Sequence, residues 1–351
     1  MPTAKPVAIT GIQPSGEIHI GNYLGALKNC VTIQNAGNYD CFFFVADLHS
    51  LTQDYDPKKK FANTLEAIAS LLALGIDPQK STLFIQSMVP EHTELSWYFN
   101  CLTPMGELER MTQYKDKAAR QVQNINVGLF DYPVLQAADI ALYNAAFVPV
   151  GQDQVQHIEL TRNIVHWFNR RYGTKLREPK ALLTDIPKVL SLAEPTKKMS
   201  KSLGVQHYIA LTDEPFVILD KLKRAVTETT GIVPLSYTAK KGWIADEAAI
   251  ATMDEAQQRG VLGVENLLSM LHHFAPPEVN TQFAQGPIRY GDLKKTLAHH
   301  IGEFFADYRT RRAALLKNPR QILELLAPST ARAQQTARTT MEQLRTRIGV
   351  R

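Results

Sequence analysis

A chain of 351 residues, 44% hydrophobic and 21% charged, has an ordinary globular composition and enough length for two cores. That excludes a disordered or low-complexity protein, and no apolar run approaches the roughly 18 residues that cross a bilayer. The net charge of +5 is unevenly placed: residues 303–351 hold ten Arg or Lys against four Asp or Glu, a local balance of +6. Such a tail suits an anionic partner such as RNA, or a solvated helix face. Cys30, Cys41 and Cys101 are odd in number and form no CxxC, so free core thiols in a reducing compartment are expected. No basic region followed by an apolar run opens the chain, so no signal peptide is expected, and the location read from this is cytoplasmic.

Val7–Thr10 reads as a short buried strand running into Gly11 and then Pro14-Ser15-Gly16, which forces a turn. Helical pattern begins near Gly21 and continues through Leu24, Leu27 and Val31. Strand, tight loop and helix leave backbone N–H groups and a partial positive charge at the helix start, where a phosphate is stabilised. Neither GxGxxG nor GxxxxGK[ST] is present. Cys41–Ala46 is an unbroken apolar run, as in a strand covered on both faces, and Asp47 and His49 follow at its C-terminal end. Phe61, Leu65, Ile68 and Leu72 repeat at helical spacing up to Gly75. Thr82–Gln86 is the next strand, and Glu94–Asn100 the next helix.

Tyr132-Pro133 is read as restarting the chain, with helix from Val134 to Tyr143. Leu135, Ala138, Asp139 and Leu142 then share one face, and a carboxylate on an apolar stripe is costly unless something donates to it. Phe147–Val150 is a strand, Gly151-Gln152-Asp153 opens a helix to about Tyr172, and Val189–Leu192 is a further strand. That strand feeds Glu194-Pro195-Thr196-Lys197-Lys198-Met199-Ser200-Lys201-Ser202, where three lysines and two serines crowd a loop fit to close on a polyphosphate. Beyond it Pro215–Val226, Val264–Phe274 and Arg289–Arg312 read as helices, and Thr229–Gly242 as a polar connection. Alternating strands and helices followed by helices alone predict an α/β fold: a doubly wound, Rossmann-like parallel sheet with a second, all-helical domain. The expected domains are 1–202 catalytic, 203–300 helical, and 301–351 a basic helical segment packing back on the first.

Gln13-Pro14-Ser15-Gly16 with His19-Ile20-Gly21-Asn22 resembles the HIGH signature of class I aminoacyl-tRNA synthetases, and Lys198–Ser202 is a complete KMSKS about 180 residues later. Gly106–Gln113, Tyr132–Ile140 and Val148–Gly151 resemble the tryptophanyl-tRNA synthetases in particular. The resemblance implies a reaction: tryptophan and ATP, with Mg2+, give tryptophanyl-adenylate and pyrophosphate, and tryptophan then passes to tRNA(Trp). It implies no side-chain nucleophile, so the protein positions its substrates and stabilises phosphate charge.

The resemblance places Gln13, Pro14, Ser15, Gly21, Asn22, Gly151, Gln152, Asp153 and Val189 along ATP. Met199, Ser200 and Ser202 would close over the nucleotide with the loop. His19, Lys198 and Lys201 would serve the phosphates, with Lys117 helping. Asp139 would take the indole N–H, which supplies the donor it otherwise lacks. Tyr132, Ile9, Gln136, Val148 and Val150 would line the indole slot, Gln113 would hold the amino group, and His49 would share the pocket. Gln136 and Gln152 depart from the common Met and Glu, making the indole wall more polar and changing the ribose contact. The helical part would meet the tRNA anticodon, and a homodimer is implied, with Trp97-Tyr98-Phe99 as interface or core. No resident metal ligands and no membrane are expected. The rival readings are a tyrosyl-tRNA synthetase, in which a phenol meets Asp139, and a non-catalytic regulatory paralogue, against which both intact signatures stand. The length and second domain speak against a small HxGH nucleotidyltransferase.

Overall fold

The computed structural model describes residues 4–14, 16–111, 125–183 and 187–350, with the side chain of Asp153 outside the description. Contacts divide the chain into two compact units, one of Met1–Gly16, Ala26–Asp185 and Arg312–Arg351, the other of Glu17–Gly25 and Ile186–Arg311. The boundary expected at 203 falls inside the second unit, which takes in the His19 segment and the lysine loop.

The first unit is built on a five-stranded sheet, order β3-β2-β1-β4-β5, with every pairing parallel. Its strands are β1 (Val7–Ile12), β2 (Asp40–Val45), β3 (Thr82–Ile85), β4 (Phe147–Val150) and β5 (Lys180–Leu183). The unbroken run Cys41–Val45 is buried throughout, as a strand covered on both faces must be. Gly11 stands opposite Phe44 in register, and a Cβ there would come within 2.6 Å of the Phe44 ring, so the ring's position requires glycine. Phe42, Phe84, Phe99 and Phe168 anchor the core with Ala333, Ala337 and Met341 of the Pro319–Ile348 helix.

Three expectations for this unit are corrected. Tyr132 and Pro133 lie inside the helix Val127–Ala141, because Asn126 caps it by accepting from the Leu129 N–H at 2.9 Å. The fifth strand is Lys180–Leu183, whereas Val189–Leu192 belongs to the second unit and makes only an isolated bridge between Leu190 and Lys198. Cys30 and Cys41 are buried free thiols, but Cys101 is exposed.

In the second unit, helices Pro215–Lys223, Glu255–Phe274 and Tyr290–Phe304 bury Leu222, Leu268, Leu271, Leu293 and Leu297 completely. A Cβ on Gly263 would stand 2.2 Å from the Val226 carbonyl oxygen, so the Glu255–Phe274 helix sits against that backbone through a bare glycine. Thr229–Gly242 is not a plain connection. It enters an antiparallel hairpin, β6 (Leu235–Thr238) with β7 (Gly242–Ala245), turned through Gly242 at φ +74°. The Arg289–Arg312 helix is two, Tyr290–Phe304 and Ala306–Lys317.

Candidate active site

The candidate residues fall into two groups, one in each unit. In the first unit β1 pairs with β2 on one side and β4 on the other, so the strand order reverses there, and ligands of open α/β sheets sit outside such a switch point. Ile12 leads out of β1 into Gln13 and Pro14, and Gly16 turns at φ +77°. Val150 leads out of β4 into Gly151 and the 3-10 turn Gln152–Gln154, which opens the helix Val155–Tyr172. Gln13 and Gln152 are exposed at these two loops. Ser15, Gln113 and Lys117 lie outside the described residues.

Asp139 is 1% exposed. Its Oδ1 accepts from Gln86 Nε2 at 2.7 Å and from His92 Nδ1 at 2.6 Å, and its Oδ2 from His49 Nε2 at 2.7 Å. Burial pushes its carboxyl up, but His49 and His92 outweigh burial and bring it down to about 2. Asp139 is therefore a carboxylate at any working pH. The expectation that it lacks a donor until substrate arrives is corrected: the strand ends and the Glu91–Asn100 helix supply three. An ionised carboxylate offers about four acceptor directions, so three donors leave one, on Oδ2.

Of the residues expected to line the indole slot, Ile9, Tyr132 and Val148 are buried and Gln136 and Val150 half-buried. The Tyr132 hydroxyl pairs with His157 Nε2 at 2.8 Å, and burial raises its pKa, so it remains a phenol. Gln86, His92 and Tyr143 were not singled out from the sequence. Gln86 had a usable signal, since it directly follows strand β3 where α/β ligands gather. His92 and Tyr143 had none, each being a single residue of a helical stretch with no motif around it.

In the second unit, the His19 segment and the chain after the lysine loop are stitched together. Ile20 N–H donates to the Ile209 carbonyl at 3.0 Å, and Leu211 N–H to Ile18 at 2.9 Å. His19 is 6% exposed, and its Nδ1 has no partner among the described residues. Burial first, and then the Lys201 charge, lower its pKa to about 4, with Glu17 opposing, so the ring is neutral near pH 7. Its backbone N–H donates to Asn22 Oδ1 at 3.2 Å. A Cβ on Gly21 would lie 3.0 Å from the His19 ring and 3.6 Å from Met199 Cβ, so the glycine lets the two signatures approach.

The lysine loop is held as a hairpin. Met199 N–H donates to Val189 at 3.0 Å and Ser191 N–H to Lys197 at 2.9 Å, while the Ser200 hydroxyl accepts from Ser202 N–H at 3.3 Å. Met199 is buried under the loop, Lys198 is exposed and Lys201 half-buried. Burial lowers the Lys201 pKa against the pull of Glu17. One neutral imidazole with an orphan nitrogen and two lysines on an anchored hairpin are groups that can donate to an anion. No group of three or more His, Cys, Asp or Glu side chains that could hold a metal occurs among the described residues.

The family model for tRNA synthetases class I (W and Y) matches residues 1–306. The tryptophanyl-tRNA synthetase of Campylobacter jejuni, solved with ADP and tryptophan, is 32% identical with a TM-score of 0.79, covering 98% of this chain and 99% of its own. That of Mycoplasma pneumoniae is also 32% identical with a TM-score of 0.79, covering 98% of both chains. The tyrosyl-tRNA synthetase of Archaeoglobus fulgidus, solved with L-tyrosine, shares the fold at 22% identity and a TM-score of 0.62, covering 89% of this chain and 91% of its own. The two signatures, the switch-point sheet and these likenesses converge: the chain belongs to the class I tRNA synthetases of the tryptophan and tyrosine group, as a tryptophanyl-tRNA synthetase.

Proposed function

We propose that the chain activates L-tryptophan with ATP to tryptophanyl-adenylate and pyrophosphate, then transfers tryptophan to tRNA(Trp), with Asp139 as the acceptor of the indole N–H. The observation that carries the residue assignment is the permanent carboxylate at Asp139 with one acceptor direction left. The relative solved with ADP and tryptophan supports the choice of ligands. Gln13, Pro14, Ser15, Gly151, Gln152 and Asp153 take the nucleoside at the switch point. Val189 meets the adenine through its backbone, and His19, Gly21, Asn22 and the lysine loop, with Lys117, take the phosphates. Ile9, Tyr132, Gln136, Val148, Val150 and His49 form the indole slot, and Gln113 takes the amino group. The tryptophan carboxylate attacks the α-phosphorus, and pyrophosphate leaves as Lys198 and Lys201 offset its charge. Magnesium would accompany the triphosphate and share its charge.

The helical part of the second unit meets the tRNA by analogy with the family. A second copy of the chain meets the Trp97 side of a groove of about 340 Å³ in the first unit, which Leu48, Leu51 and Leu135 also line. Trp97 is 66% exposed there while its neighbour Phe99 is core. Among the described residues the one carboxylate lining the groove, Asp131, accepts from Asn100 at 2.8 Å, and such scarcity of charge suits the centre of an interface. No helix among the described residues is long and apolar enough to cross a membrane. Free cysteines accord with work in the cytoplasm.

ATP–pyrophosphate exchange with tryptophan, tyrosine and phenylalanine in parallel tests the reaction. Exchange should follow tryptophan, and exchange with tyrosine alone would overturn the assignment. Asp139→Asn should cut kcat/KM for tryptophan by roughly 10²-fold or more while leaving ATP affinity within a few-fold, because the loss falls on a hydrogen bond made to one substrate. Equal losses for both ligands would remove the indole role.

A further inference from the structure

We infer that His92 and Gln86 are positioning residues for amino-acid specificity: by filling both acceptor directions of Asp139 Oδ1, they leave Oδ2, beside His49, as the edge that an indole N–H meets. This rests on the tryptophan reading of Asp139 and adds residues and a particular oxygen to it.

The geometry is closed on every side. His92 and Gln86 are both 0% exposed. Asp139 can only accept, so in the neutral ring the His92 proton sits on Nδ1, and Nε2 is left to accept from the Tyr143 hydroxyl at 2.9 Å. Tyr143 is 2% exposed and remains a phenol, since burial and the nearby Asp139 and Glu91 charges raise its pKa. The carboxylate selects the tautomer, and the Tyr143 hydroxyl, by donating to the Nε2 left bare, favours that same tautomer. Phe44 and Phe84 lie with ring centroids 5.9 and 6.0 Å from the imidazole, which fixes the plane of the ring.

Gln86 is oriented in the same way from the other direction. Its Oε1 accepts from the Leu48 N–H at 3.2 Å, so its Nε2 is the atom that faces Asp139. That bond also ties down the backbone entering the His49–Thr52 turn, which carries the third donor. The two residues thus hold the carboxylate against rotation and the His49 turn against drift. A freely rotating carboxylate would accept from solvent or from a polar ring with comparable ease. A clamped one presents a single direction, and discrimination for a donor at a fixed point follows from that.

The test compares L-tryptophan with 3-benzothienyl-L-alanine, which replaces the indole N–H by sulfur, as the ratio of their kcat/KM values in pyrophosphate exchange. His92→Asn keeps a donor near the Nδ1 position, whereas His92→Gln places its amide near Nε2, toward Tyr143. Both are polar and small enough for the cavity, and equal melting temperatures check that both fold. His92→Asn should keep the ratio within about threefold of the parent protein. His92→Gln should lower it roughly tenfold or more through the KM for tryptophan, with the KM for ATP within twofold. Tyr143→Phe should lower the ratio by a few-fold, and it supplies the test should His92→Gln fail to fold. Equal ratios in both His92 variants, or an unchanged ratio in Tyr143→Phe, would overturn the inference. Asp139→Asn separates it from the reading beneath: an unchanged ratio there removes both, whereas a collapsed ratio there with an intact one in His92→Gln removes the clamp alone.

Discussion

Glu17, His19 and Lys201 form a charge-coupled group in the second unit, and the consequence for His19 is a definite one. Burial and the Lys201 charge bring its pKa from 6.5 to about 4. The unfolded chain thus binds more protons than the folded one between these values, so His19 contributes stability fully present above about pH 6.5 and lost as pH falls through about 4. Denaturation midpoints across that window should fall more for the parent protein than for His19→Asn, and a constant difference would show that His19 titrates normally. Lys201→Ala removes one of the two causes, so the His19 pKa should move upward, read from its Cε1 proton by NMR. The same variant should lower kcat by roughly 10²-fold with little change in the KM for tryptophan, because a phosphate contact that strengthens as pyrophosphate departs acts on the transition state.

The Val127–Ala141 helix sets the position of Asp139, and its start depends on Asn126. That side chain accepts from Leu129 N–H at 2.9 Å and donates to the Thr52 carbonyl at 3.1 Å, joining the helix to the turn that carries His49. Asn126→Ala should cost about 1–2 kcal/mol by urea denaturation and raise the KM for tryptophan more than that for ATP. Pro133 sits past the first turn of this helix, where it can offer no N–H to the Leu129 carbonyl, and for that reason the sequence reads as a break there. The cap, one of many Asn residues in the chain, outweighs it and carries no pattern of its own. Strands β1 to β4 were legible because unbroken apolar runs leave few alternatives. Lys180–Leu183 was not, since an edge strand of four residues with Lys at its head and both ends exposed has neither length nor alternation. The β6–β7 hairpin hid behind Ala239, Lys240 and Lys241, which look like a loop and are one, with strands on either side. In the site, the two signatures stood out as motifs, and the position of Asp139 on an apolar face announced a paired acid. That its partners are His49, Gln86 and His92 was not legible, because they come from segments 47 to 90 residues away that the parallel sheet brings together.

At the scale of the whole chain, the basic C-terminal run raised two possibilities, a surface for an anionic partner or a helix occupied with the body of the protein. Within the first unit its arginines meet that unit's own carboxylates. Arg345 forks onto Glu94 at 2.8 and 2.5 Å, Arg332 reaches Asp40 at 2.6 Å and Thr82 at 2.7 Å, and Arg312 reaches Glu66 at 3.0 Å. These pairs keep part of their surface in water and contribute about 1 kcal/mol or less each, so the docking of the helix comes mainly from its apolar stripe. Ala333, Ala337 and Met341 are fully buried and Leu344 nearly so, against a core that includes Phe42, Phe84 and Phe99. Truncating a buried Met leaves a cavity as well as losing transfer energy, so Met341→Ala should cost about 2–5 kcal/mol. Arg345→Ala, by contrast, should cost about 1 kcal/mol and soften further in high salt. Urea melts of both variants at low and high salt measure the balance. A larger loss from Arg345→Ala than from Met341→Ala would mean that charge, not packing, holds the tail, and would reopen the possibility that an anionic partner competes for it.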